Sequence, residues 1–143
     1  MRTSVVVMGI AVLLIALPAV AHHSFATEYD LAKPVILKGV VTKFDLRNPH
    51  SWLFLNVTDS NGKIVSWGVE MPPRHDLADM AIEKDSIPAG VQVHVEGFLA
   101  KNGSNTISGR TIRFPDGRTF VIEDPSSDPI TTLDKLKILR PSN

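Results

Sequence analysis

The stretch VILKGVVTKFDLRNPHSWLFLNV, Val35 to Val57, decides the fold. It reads as two strands, Val35–Phe44 and Ser51–Val57, joined by a polar corner, Leu46-Arg47-Asn48-Pro49-His50. Val, Ile, Leu and Phe fill both arms, and such residues suit a pleated, half-buried surface. Gly39 interrupts the first arm, where a strongly bent strand needs a residue without a side chain. Asn48-Pro49 is a turn signal, and His50 follows it just ahead of an aromatic strand.

Working downstream, Asn61-Gly62 supplies a tight hairpin into a third strand, Ile64–Met71. Val65, Trp67, Val69 and Met71 share one of its faces by the period-two rule, and Pro72-Pro73 ends it. Between Arg74 and Ile87 the period changes. Leu77, Met80 and Ala81 sit at i, i+3 and i+4, with Asp76 as N-cap, and predict a short helix. Beyond Pro88-Ala89-Gly90, Val91, Val93 and Val95 alternate with Gln92, His94 and Glu96, a half-buried strand. Asn102-Gly103 and Asp116-Gly117 then turn the chain into strands Thr106–Phe114 and Thr119–Ile122. The faces assign the core to Val40, Leu53, Leu55, Val57, Val69, Val93 and Val95. This order predicts a mainly β fold: a small OB-like closed barrel of five to six strands, with one short helix between strands three and four. Closure also removes the exposed edges of several hydrophobic strands. An immunoglobulin-type sandwich needs more strands and has no use for the helix.

Upstream, Met1-Arg2-Thr3-Ser4 is a short cationic start and Val5–Leu17 an apolar run, followed by Pro18-Ala19-Val20-Ala21. This reads as a signal peptide cleaved after Ala21. A retained membrane anchor is the alternative, but the run is short of the roughly 20 residues that span a bilayer. The expected organisation is a signal peptide over 1–21, an extended arm over 22–34, the barrel domain over 35–123, and a linker and tail over 124–143. The expected location is periplasmic or secreted, with no stable membrane anchor after processing. Lys plus Arg and Asp plus Glu number 15 each, and Arg2 is the sole charge before His22. A phosphate-binding surface shows a basic excess, so nucleic acid is not an expected partner. The chain has no cysteine, which excludes disulfides and thiolate metal sites.

A resemblance becomes visible across these features. His22-His23-Ser24-Phe25 directly after the leader, Lys38-Gly39-Val40-Val41, Asn48-Pro49-His50-Ser51-Trp52, Val95-Glu96-Gly97, Lys101-Asn102-Gly103-Ser104 and Pro115-Asp116-Gly117-Arg118 carry it. Together they resemble a family of small secreted bacterial proteins of unknown function, over roughly Ala21 to Val121. Members often carry a Gly-Trp pair in the helical segment, where this chain has Ala81-Ile82. That departure counts against a shared site on the helix. The resemblance implies a periplasmic location and an OB-like barrel, and it implies no activity.

The chemistry must come from the residues themselves. There is no Gly-x-Ser-x-Gly elbow, no phosphate loop, and no spacing that pairs Asp45, Glu70, Asp76, Asp79 or Glu96. The histidines remain. His94 points outward on its strand and His75 sits in a Pro-Pro-Arg-His-Asp turn, so both read as surface residues. His50 is presented by a fixed corner, where it either bonds the turn backbone or ligates. A chain starting at His22 offers an α-amine and an imidazole that chelate one metal together. His23 adds a second ring, and His50 a third nitrogen ligand from the fold. Nitrogen donors in this number suit Cu(II), which heads the divalent affinity order. The candidate metal site is therefore His22, His23 and His50, with copper as cofactor. The plainer alternative is a solvated terminus, as most termini are. Met71 with Trp52 and Trp67 is a poor soft-metal set and reads as core. The sequence thus favours a periplasmic copper-binding protein. The alternative is a non-catalytic OB-fold binding or scaffold module that docks an envelope protein or small ligand through Ser51–Val57. An oxidative copper enzyme is the least favoured reading.

Overall fold

β1, Tyr29–Asp45, is the longest strand and serves two ladders at once. The computed structural model describes residues 25–122. The leader, His22, His23 and the tail lie outside the described residues. Antiparallel pairing joins β1 to β2 (Ser51–Thr58) from Gly39 opposite Val57 to Asp45 opposite Trp52. It joins β1 to β4 (Gln92–Ala100) from Pro34 opposite Phe98 to Val40 opposite Gln92. Gly39 stands where the two ladders overlap. A Cβ there would lie 2.9 Å from the Asn56 carbonyl oxygen and 3.0 Å from Val57 Cγ2, so close approach explains this glycine.

β2 pairs with β3 (Ile64–Met71), β4 with β5 (Thr106–Arg113), and β5 with the short β6 (Thr119–Val121). One parallel ladder joins β3 to β5 through Gly68 opposite Thr106 and Glu70 opposite Ser108. The sequence β1-β2-β3-β5-β4 therefore returns to β1 as a ring-like sheet, mainly β as expected. The hairpin glycines Gly62, Gly103 and Gly117 all have φ between 77° and 89°, which fits their turns.

Leu53, Leu55, Val69, Val93 and Val95 are at most 1% exposed and form the core with Ile107, Ile112 and Ile122. Val40 does not belong with them. It is 39% exposed, while Val41 is buried at 1%. Val40 faces Asn56 on the outer side and Val41 faces Leu55 on the inner side. A register shift between Val41 and Lys43 then brings Phe44 opposite Leu53. Two adjacent valines hide the parity of this strand, and a one-residue slip exchanges its faces. Val57 is only half-buried.

The helix expected between strands three and four is α2, Arg74–Asp79, with Leu77 buried under it. It begins after Pro73 rather than at Asp76, and no side chain caps it. Ala81 ends it in the left-handed region at φ 58°. The Ile82 N–H bonds the Leu77 carbonyl at 2.8 Å and the Ala81 N–H bonds the Ala78 carbonyl at 2.9 Å, a Schellman pattern.

β1 starts earlier than the strand pattern implies. A single turn, α1 (Phe25–Glu28), leads straight into β1 at Tyr29. Tyr29, Phe98 and Ala100 form a second buried cluster with Phe25 and Leu31 packed on it. Leu99 joins the main core, so its neighbours Phe98 and Ala100 face the outer side. This outer cluster seats the start of the described chain.

Candidate functional site

Glu70 is the centre of the site. On β3 it alternates with the core residues Val69 and Met71 and so points outward, between Trp52 of β2 and Ser108 of β5. Its side chain is nevertheless only 13% exposed. Tyr29 covers it: the phenol donates a hydrogen bond to Glu70 Oε2. On the other oxygen, Oε1, sits Nδ1 of His50. One carboxylate thus joins the start of β1, the exit of β3 and the corner before β2.

The corner that carries His50 is braced from three sides. Ser51 is fully buried, and its hydroxyl donates to the Arg47 carbonyl at 3.2 Å. The Ser51 N–H reaches the Pro72 carbonyl at 3.2 Å, and the Arg74 N–H reaches Asn48 Oδ1 at 3.2 Å. The Asn48-Pro49 peptide is cis. Of the two options open for His50, bonding the turn backbone or ligating a metal, the described residues show no ring-to-backbone bond and leave ligation open. The ring pairs with a carboxylate while 47% of its side chain remains exposed.

Tyr29 is itself fixed. Phe25 stacks on it with ring centroids 5.4 Å apart and meets Phe98 edge-on at 5.9 Å. Arg110 is the extra residue of a bulge, since Gly97 faces Gly109 and Glu96 faces Thr111. The bulge turns its guanidinium outward, 4.4 Å from the centroid of Phe25, and the side chain is buried there. Lys101 holds the turn from below. Its Nζ donates to the Ala26 carbonyl at 2.5 Å and its backbone N–H to Glu28 at 2.8 Å. Burial, reinforced by the Glu70 carboxylate, pushes the Tyr29 phenol well above its ordinary pKa.

His94 is exposed on β4, and His75 pairs with its neighbour Asp76 at 2.9 Å with most of its ring in water. Both are surface residues, as expected. His22 and His23 lie outside the described residues. Among the described residues no group of three or more His, Asp or Glu side chains gathers around one point. His50 and Glu70 form a pair, tied on its other side to Tyr29. Glu70 and Tyr29 escape a reading of spacing, because their partners come from distant segments. The signal for Glu70 lay in the hairpin register: the Asn61-Gly62 turn sets Trp52 opposite Glu70, which brings His50 diagonally next to it.

The chain matches a family of unknown function (DUF6152) over residues 11–109. It belongs to that family. The DUF6152 match takes in Tyr29, His50 and Glu70 and ends one residue before the Arg110 bulge. No curated protein and no solved structure matches the chain. DUF6152 membership assigns no activity, so function has to be argued from the site.

Proposed function

We propose that this protein is a periplasmic metal-binding protein that takes copper through His22, His23 and His50, on an OB-type barrel exported by the leader 1–21. The observation that carries the reading is the His50–Glu70 pair at the anchored start of the chain. A carboxylate on one imidazole nitrogen is the usual setting of a metal-ligating histidine. Phe25 is stacked on the tyrosine that holds this carboxylate. His22 lies three residues ahead of Phe25 in the sequence. An amine and imidazoles are the donors that Cu(II) prefers, and both must be deprotonated to bind it. The β1-β2-β3-β5-β4 ring, with α2 between β3 and β4, supports the OB reading.

The test uses protein processed to His22 and two variants. One extra residue ahead of His22 removes its amine from the chelate and leaves every imidazole in place. His50→Ala removes the ligand supplied by the fold. Each is expected to weaken Cu(II) binding by at least about tenfold, or about 1.4 kcal/mol. If both variants bind as tightly as the parent, the site is wrong. A docking module is the second reading, favoured by Trp52 and Phe54 stacked 6.2 Å apart on the outer face of β2.

A further inference from the structure

We infer that Glu70, held by Tyr29, is a positioning residue that fixes His50 in the tautomer carrying its proton on Nδ1 and its lone pair on Nε2. The use of that lone pair toward copper rests on the function proposed above, whereas the tautomer itself rests on the geometry alone.

Ionised Glu70 has acceptors only, so whatever faces its oxygens must donate. The Tyr29 hydroxyl donates to Oε2. Nδ1 is the ring nitrogen of His50 that pairs with Oε1, so the single proton of a neutral imidazole is best placed there. Nε2, on the opposite side of the ring, then keeps the lone pair. A free histidine prefers the other tautomer, with its proton on Nε2 and no lone pair at that tip.

Three features make this a built arrangement rather than a surface ion pair. Glu70 is largely buried and cannot swing away into water, with Trp52 and Ser108 flanking it on the neighbouring strands. Tyr29 is buried and pinned by Phe25, so the second oxygen is held as well. The His50 backbone is held by the Ser51 and Asn48 contacts of the corner. Glu70 has the Tyr29 hydroxyl on one oxygen and the His50 ring on the other, which makes it an orienter of the ligand and not a ligand. Such partners typically contribute 10- to 100-fold in metal affinity.

The test is made on the whole processed chain. Nitrogen-15 spectra of the imidazoles in metal-free protein, at a pH where His50 is neutral, read its tautomer directly. The parent is expected to show Nδ1–H, and Glu70→Gln to shift the ring toward Nε2–H. A neutral amide accepts a weaker bond and can present an N–H to Nδ1 instead. Tyr29→Phe keeps the carboxylate on His50 and is expected to keep Nδ1–H. In the copper arm, Glu70→Gln should bind Cu(II) at least about tenfold more weakly than the parent, with Nε2 still present on the same ring. An Nε2–H parent overturns the inference, and so does an unchanged tautomer in Glu70→Gln or, where the parent binds copper, an unchanged copper affinity in that variant. If Glu70→Gln does not fold, the parent and Tyr29→Phe spectra decide the tautomer. An Nδ1–H parent that takes up no copper upholds the positioning role and overturns the copper reading.

Discussion

Replacing Ala81 by glycine should make this protein more stable. Ala81 has φ 58° at the end of α2, a left-handed conformation that costs a residue with a Cβ about 1–2 kcal/mol. The residue is exposed, so deleting its methyl group gives up almost no buried surface. The two Schellman bonds, from Ile82 to Leu77 and from Ala81 to Ala78, run through the backbone and survive the change. Against the relief stands the extra freedom of glycine in the unfolded chain, about 0.4–1 kcal/mol. The balance is a gain of about 0.5–1 kcal/mol, which for a domain of this size raises Tm by about 2–8 °C. Urea unfolding should show a higher midpoint with an unchanged slope. Ala81→Val is the companion, because a β-branched side chain tolerates this region poorly and should lower Tm. A glycine variant no more stable than the parent, or a valine variant equal to it, would refute the assignment of Ala81 as the helix-ending residue.

Three other outcomes are expected. Leu55 is fully buried and Gln92 is exposed, so Leu55→Ala should lose about 2–5 kcal/mol in urea unfolding while Gln92→Ala loses little; equal melting temperatures would mean the strand faces are misread. Tyr29→Phe removes a hydrogen bond to a buried carboxylate and should cost about 1.5–3 kcal/mol at neutral pH. The folded pKa of this phenol is raised, so its contribution is fully present below the unfolded value of about 10 and declines as pH rises above it. The gap between parent and Tyr29→Phe in urea midpoint should therefore narrow above pH about 10, and a gap that widens there would contradict the burial of Tyr29.

Alternation and turn chemistry made most strands legible. Val93 and Val95 against Gln92 and His94, and the pairs Asn61-Gly62, Asn102-Gly103 and Asp116-Gly117, put β2 to β6 within a residue or two, apart from the far end of β4. The pattern failed where a bulge changed the parity, at Val40 and Val41, since both are valines and only the pairing tells them apart. The bulge at Arg110, a charged residue turned out of the core onto Phe25, has no signature in the alternation either. The start of β1 was hidden because Tyr29 to Pro34 is mixed in polarity and its ladder is irregular there. At the candidate site, His50 could be read from its corner. Glu70 was legible only through the hairpin register that sets it opposite Trp52, because nothing local distinguishes it from other strand carboxylates. Its role depends on Tyr29, 41 residues away, and on a histidine from another strand end.

The central claim is best tested on protein exported with its own leader and purified without a tag at the N-terminus. Intact mass and metal analysis of that one sample decide it. The expected result is a chain that begins at His22 and carries about one equivalent of copper after growth with copper present. A chain that begins at His22 and holds no copper, and takes up none on titration at neutral pH, would contradict it.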